Sequence, residues 1–439
     1  MAFTSEITRA FIEFCSSFQP KAKQIECLEH FLAGRDIIAH LHVGYGKSLV
    51  YQIIPKLLSI VKKDEPQATL LVISPIIQNE QIETLKKYDV KACRLSYHEC
   101  DGEVELMEKD MIQNIAEGEF AIVFAHPEAL LNTFSGKDLL SKRQFIDHVK
   151  GVVIDECHIV KEWGEEFRTA FQKLKTLPAV FNDVPFMALS GTLPTSLMKE
   201  LPNILGLNNP VTVQESPDRT NIFLKKLHKS KFGDTNEIYE SIFKTECDDL
   251  KKDPYNYPVT MLFMPLYYIS QAAAYLKHLF GDGDITTSCY AVLFSRQDKV
   301  VLKTTVEELQ MEYPQIRLIL TSSVAGMGFD PPSVMRIIHA RPPRNLSQYL
   351  QEIGRAGRRG QNSSAILHYN KRDIAKNIPG IQEDIVQYCN NEETCVRELL
   401  LKPFGFSKSQ GIANENCCSF CLNEDISKLD EAGAFDNNV

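Results

Sequence analysis

At 439 residues the chain is longer than one hydrophobic core usually serves, so two large domains with a smaller addition are expected. Hydrophobic residues at 44% and charged residues at 24% are ordinary for a soluble globular protein; no apolar run reaches the roughly 20 residues that span a bilayer, and Met1 to Phe18 lacks the basic-then-apolar order of a secretory leader, which points to an intracellular protein. The formal charge of −9 excludes a global electrostatic pull toward nucleic acid, so any such partner must be held by local basic patches.

In chain order, the first informative stretch is apolar Ile37 to Leu41, followed by Gly44-Tyr45-Gly46-Lys47-Ser48 and then by helix-compatible Leu49 to Leu58. Strand, glycine loop and helix in that order make a phosphate cradle. The glycines let backbone N–H groups turn toward the phosphates, Lys47 supplies a point charge, and the Ser48 hydroxyl is placed to ligate Mg2+. Short apolar runs recur at Thr69 to Ser74, Phe120 to Ala125, Gly151 to Ile154 and Phe186 to Leu189, as expected of strands buried on both faces of a parallel sheet. The third run leads into Asp155-Glu156-Cys157-His158, delivering two carboxylates to a strand end. There Asp155 would hold Mg2+ and Glu156 would orient and polarise the attacking water.

A Pro/Asn-rich passage near Asn208 to Asn221 separates this series from a second one, Val259 to Met264, Ile316 to Thr321, Met335 to Ala340 and Ala365 to Tyr369, which predicts a second α/β sheet. The stretch Asp253 to Pro258 reads as a loop entering it. Between Arg336 and Arg372 stand eight Lys or Arg residues and one acid, Glu352, a bias opposite in sign to the whole chain. Beyond Lys371 the pattern turns helical. Seven cysteines are scattered over the first 388 residues and five, Cys389, Cys395, Cys417, Cys418 and Cys421, crowd the last 51, a density that suits a metal site better than disulfides in a reducing cell.

With the loop and the acid pair in place, the chain resembles the superfamily 2 helicases with a DExH box, and specifically the RecQ family, from about Phe18 to about Cys421. Phe18 through Gln24 is similar to the adenine-reading motif, with Gln24 as the residue that would pair with the base edge, and Leu49-Val50-Tyr51-Gln52 also looks like RecQ. Ser74-Pro75 and His126-Pro127-Glu128 match strand-contacting motifs, and Ser190-Gly191-Thr192 matches the motif linking hydrolysis to the second lobe. The aromatic-rich loop of the family corresponds to His158 to Arg168, where Trp163, Phe167 and Arg168 would stack on single-stranded DNA bases. Asp218-Arg219-Thr220-Asn221, Thr321 to Asp330 and Gln351 to Arg358 continue the match. The last of these supplies Arg358 as principal arginine finger and Arg355 as its partner.

The resemblance implies two RecA-like doubly wound α/β lobes, about 1–207 and 208–372, a helical zinc-binding module at 373–425, and an acidic tail without fixed structure at 426–439. ATP with Mg2+ would bind between the lobes, at Gln24, Gly44, Tyr45, Gly46, Lys47, Ser48 and Asp155. Lys47, Asp155, Glu156, Arg355 and Arg358 would carry hydrolysis. Ser74, Pro75, His158, Trp163, Phe167 and Arg168 would contact nucleic acid. Zinc would take Cys395, Cys418 and Cys421, with Cys417 preferred to Cys389 as the fourth ligand. The family usually has Pro and Thr where this chain has Leu41-His42-Val43, and many members carry a winged-helix domain beyond the cysteines, so translocation is expected to survive better than unwinding. The implied activity is ATP-driven, 3'-to-5' movement on single-stranded or tailed duplex DNA, with nuclear residence in a nucleated cell. An annealing protein using ATP only as a switch is the alternative, and an RNA-directed DExH protein a third reading.

Overall fold

The computed structural model describes residues 3–15, 18–62, 68–75, 79–95, 97–100, 103–106, 109–162, 170–230, 233–281, 288–294, 299–322 and 331–423. The chain divides into two compact units, Met1–Pro217 and Asp218–Val439.

In the first unit, β1 (Ile37–His40), β2 (Thr69–Ile73), β3 (Ala92–Leu95), β6 (Ile122–Ala125), β7 (Val149–Ile154), β8 (Phe186–Ser190) and β9 (Val211–Gln214) form one sheet in the order β3-β6-β2-β7-β8-β1-β9. Every pairing in it is parallel. A separate antiparallel ribbon joins β4 (Tyr97–Cys100) to β5 (Glu103–Leu106). Alternate residues of each central strand feed different cores. Ile38, Leu71, Val152 and Ala188 enter one hydrophobic cluster, while Ile37, Leu70, Val153 and Met187 enter another. A strand that must be apolar on both faces reads as a continuous run, and helices cover each face.

The second unit repeats the plan with β10 (Ile222–His228), β11 (Thr260–Phe263), β12 (Tyr290–Leu293), β13 (Leu318–Thr321), β14 (Arg336–His339) and β15 (Ser363–Tyr369), ordered β10-β15-β14-β11-β13-β12 and again wholly parallel. Two parallel-sheet α/β lobes are therefore present, as the sequence implies. Among the described residues no helix is long and apolar enough to cross a membrane.

Two domain limits move. β9 pairs with β1, Ile37 opposite Val211, so the first unit continues to Pro217 rather than ending at 207. The short β9 is only partly buried and so lacks the apolar run that marks an interior strand. The cysteine-rich segment, expected as a module of its own, shares the core of the second sheet: Ile385, Tyr388, Leu400, Phe404 and Cys417 join Ile222, Leu224 and Ala365 in one cluster. It also covers the sheet's outer edge, where Cys418 bridges to Leu224 on β10 and the Lys226 N–H donates to Ser419 Oγ at 3.4 Å. An uncovered edge strand is an open template for further pairing, and this contact blocks it. The tail expected at 426–439 lies outside the described residues.

Candidate active site

β7, β8 and β1 are neighbours, so the segments leaving their carboxyl ends meet at one rim of the first sheet, where open parallel sheets bind ligands. From β1 the chain enters the glycine loop. Gly44 and Gly46 have φ of 84° and 92°, a region glycine occupies without penalty. From β7 come Asp155 and Glu156, and from β8 come Ser190, Gly191 and Thr192. Lys47 Nζ lies 3.9 Å from Glu156 Oε1. A methyl group on Gly191 would stand 2.7 Å from that ammonium, so the space Lys47 occupies depends on the missing side chain.

The acid pair is electrostatically divided. Burial and the charge of Glu156 push Asp155 up to about 6. Burial works the same way on Glu156, but the Lys47 charge and the His158 hydrogen bond outweigh it and hold that carboxyl down at about 2. Asp155 Oδ1 accepts from the Glu156 N–H at 2.9 Å and Oδ2 from the Tyr51 hydroxyl at 3.4 Å. Glu156 itself sits at φ 51°, a left-handed conformation rare for a residue with a side chain. His158 Nδ1 is 3.2 Å from Glu156 Oε2 and 2.9 Å from Ser190 Oγ, linking the second acid to the β8 motif. His158 was expected to touch nucleic acid, but it is 3% exposed and engaged with these two groups. An ionised Glu156 beside a lysine is suited to accept a proton from, or orient, a water attacking a phosphate.

Gln24, expected to pair with the base edge of adenine, stands behind the phosphate loop. It is fully buried, its amide nitrogen donates to the Tyr45 and Gly46 carbonyls at 3.2 and 3.1 Å, and its Oε1 accepts from the Lys21 N–H at 2.8 Å. It braces the phosphate loop from behind. Tyr45 turns back onto the same segment, with Lys21 Nζ 4.5 Å from its ring centroid and the Lys23 N–H donating to its hydroxyl at 3.3 Å.

Ser74-Pro75 and His126-Pro127-Glu128 leave the adjacent strands β2 and β6, and the Ser74 N–H donates to the Ala125 carbonyl at 3.1 Å. Both motifs stand on the same rim as the acids, since the Asp155 N–H donates to Ile73 at 2.9 Å. Trp163, Phe167 and Arg168, and the segment Ala325 to Asp330, lie outside the described residues.

In the second unit Arg355 is buried and Arg358 half-buried in the turn after the helix Leu346–Ile353. The Arg219 guanidinium donates to the carbonyls of Gly354, Ala356 and Gly357 at 3.4, 3.3 and 2.6 Å. Asn221 Nδ2 donates to Gly357 and Gln361 at 3.0 and 2.8 Å, and a methyl group on Gly357 would lie 2.3 Å from that nitrogen. The junction motif thus fixes the shape of the arginine-bearing turn, a role the sequence did not disclose. Arg397 was missed as well. Its signal was a lone cation in the otherwise mostly apolar run Val396 to Leu401.

The thiols of Cys395, Cys417, Cys418 and Cys421 all lie within 4.8 Å of one another, and Cys395 Sγ is 3.7 Å from both Cys417 and Cys418. Four sulfurs about 2.3 Å from a tetrahedral Zn2+ stand about 3.8 Å apart, so the donor set fits that ion. A disulfide at about 2.05 Å does not fit these separations. The hydrogen bond from the Cys395 thiol lowers Cys418 from the ordinary thiol range. Cys389 is buried in the apolar core on the helix Glu383–Asn390, apart from the cluster.

Residues 21–201 match the DEAD/DEAH box helicase family model, and residues 270–360 match that of the helicase conserved C-terminal domain. The ATP-dependent helicase SGS1 of Saccharomyces cerevisiae is 27% identical over 91% of the chain and 27% of its own length. For the putative ATP-dependent DNA helicase Q1 of Caenorhabditis elegans the identity is 27% over 85% of the chain and 57% of the relative; for ATP-dependent DNA helicase Q1 of Mus musculus it is 25% over 92% and 60%. The chain therefore spans between about a quarter and three fifths of these relatives. Among solved structures, the DUF1998 helicase MrfA bound to DNA superposes with a TM-score of 0.64 at 16% identity, covering 92% of this chain and 54% of that one. The DEAD-box helicase Mss116 bound to ssRNA gives 0.61 at 18%, covering 87% and 73%. These two likenesses carry the fold. The two helicase models, one matched in each unit, and the Q-type relatives at 25–27% identity over most of the chain together support a RecQ-like superfamily 2 helicase.

Proposed function

We propose that the chain is an ATP-dependent DNA helicase or translocase that moves 3'-to-5' along single-stranded DNA. The observation that carries the reading is the convergence of Lys47, Asp155 and Glu156, with Gly191 making room for the lysine, on three adjacent strand ends. Lys47 and the loop N–H groups bind the phosphates, and Glu156 orients water. Ser48 and Asp155 are the residues to hold Mg2+, which would neutralise phosphate charge. Arg355 and Arg358 supply the finger, an element worth about 10^3 to 10^5 in rate in related NTPases. Cys395, Cys417, Cys418 and Cys421 hold zinc as a structural ion. DNA as the substrate rests on the names of the Q-type relatives, and polarity and nuclear residence rest on the family resemblance. Ser74, Pro75, Trp163, Phe167 and Arg168 are assigned to the strand.

The test is strand displacement on forked and 3'-tailed duplexes, run beside single-strand-stimulated ATP turnover, with Lys47→Ala and Glu156→Gln as controls. DNA-stimulated turnover lost at least about a hundredfold in both variants is expected. Equal displacement with ATP and a non-hydrolysable analogue would favour the annealing switch, and stronger stimulation by RNA than by DNA would redirect the substrate.

A further inference from the structure

A chain of contacts within the second unit runs from the thiol cluster to the arginine turn. Arg397 is its centre. This side chain is 2% exposed, and its guanidinium donates to Asp218 Oδ1 at 2.6 Å, to the Arg219 carbonyl at 3.0 Å, to the Ile222 carbonyl, and to the carbonyl of Cys417 at 3.1 Å. Asp218, 1% exposed, is also held from the C-terminal segment by the Ser409 N–H at 2.7 Å. The fork of Arg397 therefore ties a cysteine of the cluster to the backbone on which Arg219 and Asn221 stand. Those two side chains in turn hold the carbonyls of Gly354, Ala356, Gly357 and Gln361.

We infer that Arg397 is a positioning residue for ATP hydrolysis, setting the arginine turn through Asp218, Arg219 and Asn221 so that the order of the thiol cluster reaches Arg355 and Arg358. A buried guanidinium must find acceptors for its donors whatever its role; what marks Arg397 is that they join the cysteine cluster to the junction motif. Arg397 has four acceptors on two segments distant in sequence, three within Asp218 to Ile222 and one at Cys417, and a planar fork with fixed donor directions transmits position between them in a way an ammonium does not. The inference rests on the arginine-finger role proposed above.

Arg397→Lys keeps the charge beside Asp218 and removes the fork, and Arg219→Lys cuts the same relay away from the cysteines. The expected result for both is a fall in kcat for ATP of about tenfold or more. Zinc content stays at one per chain, and the affinity for a fluorescent nucleotide analogue changes less than about threefold. Added to Arg358→Ala, neither substitution should lower kcat much further, because residues acting in series are not additive. Unchanged kcat in both variants overturns the relay, as does a loss that simply adds to that of Arg358→Ala. Should Arg397→Lys lose its zinc or fail to fold, Arg219→Lys decides alone. If Arg358→Ala itself leaves kcat intact, the finger assignment has failed, whatever the other variants show.

Discussion

The glycine after Ser190 illustrates how little separates a working loop from a blocked one. Its absent methyl group would fall 2.7 Å from Lys47 Nζ and 3.2 Å from Val43 Cγ2. In Gly191→Ala the flexible lysine head should give way while the backbone stays, so the melting temperature should move by no more than about 2 °C and nucleotide affinity should weaken about tenfold, or 1.4 kcal/mol. A nucleotide titration beside a thermal melt checks this, and unchanged affinity would remove the steric argument. Lys47, Asp155 and Glu156 were legible in the sequence because each lies in a contiguous motif whose residue types are the chemistry. The contacts that Gln24, Arg219, Asn221 and Arg397 make were not legible. These are hydrogen bonds to carbonyls 20 to 178 positions away, which no local pattern encodes.

Every interior strand of the two large sheets is legible as an apolar run, whereas β3, β9, β10 and β12, the four edges of those sheets, are not. The reason is physical. Interior strands of a parallel sheet are apolar on both faces, whereas edge strands meet solvent and show mixed burial, as in the alternating pattern of β3 and β12. One of these edges, β10, is covered by the cysteine segment, so the thiol cluster bears on sheet integrity as well as on metal. Cys395→Ser should drop zinc content from about one per chain toward zero and lower the melting temperature by several degrees. Cys389→Ser, a change in an apolar core, should keep its zinc. Metal analysis of the two purified variants separates them, and loss of zinc in Cys389→Ser alone would reassign the fourth ligand.

Over the whole molecule, each unit holds a histidine in a neutral state, His40 buried and His368 half-buried. Burial, with Lys47 nearby, lowers His40 to about 4, and burial with Lys229 and Lys225 does the same for His368. In the unfolded chain these rings titrate near their ordinary value of 6.5, so between about 6.5 and 4 the unfolded state binds more protons. Above pH 6.5 they leave stability unaffected, and as pH falls from 6.5 toward 4 they subtract on the order of 1–3 kcal/mol each. Urea denaturation at pH 7.5 and 5 should show that decline, with a shallower pH slope in His368→Gln; a flat profile in the wild type would contradict it. The left-handed backbone at Glu156 and the crowded charge at Asp155 point the other way, toward costs that the fold accepts at one turn. A laboratory selection rewarding heat resistance and blind to turnover would therefore find its gains at positions 155 and 156 early, and its survivors would be sturdy proteins that no longer spend ATP.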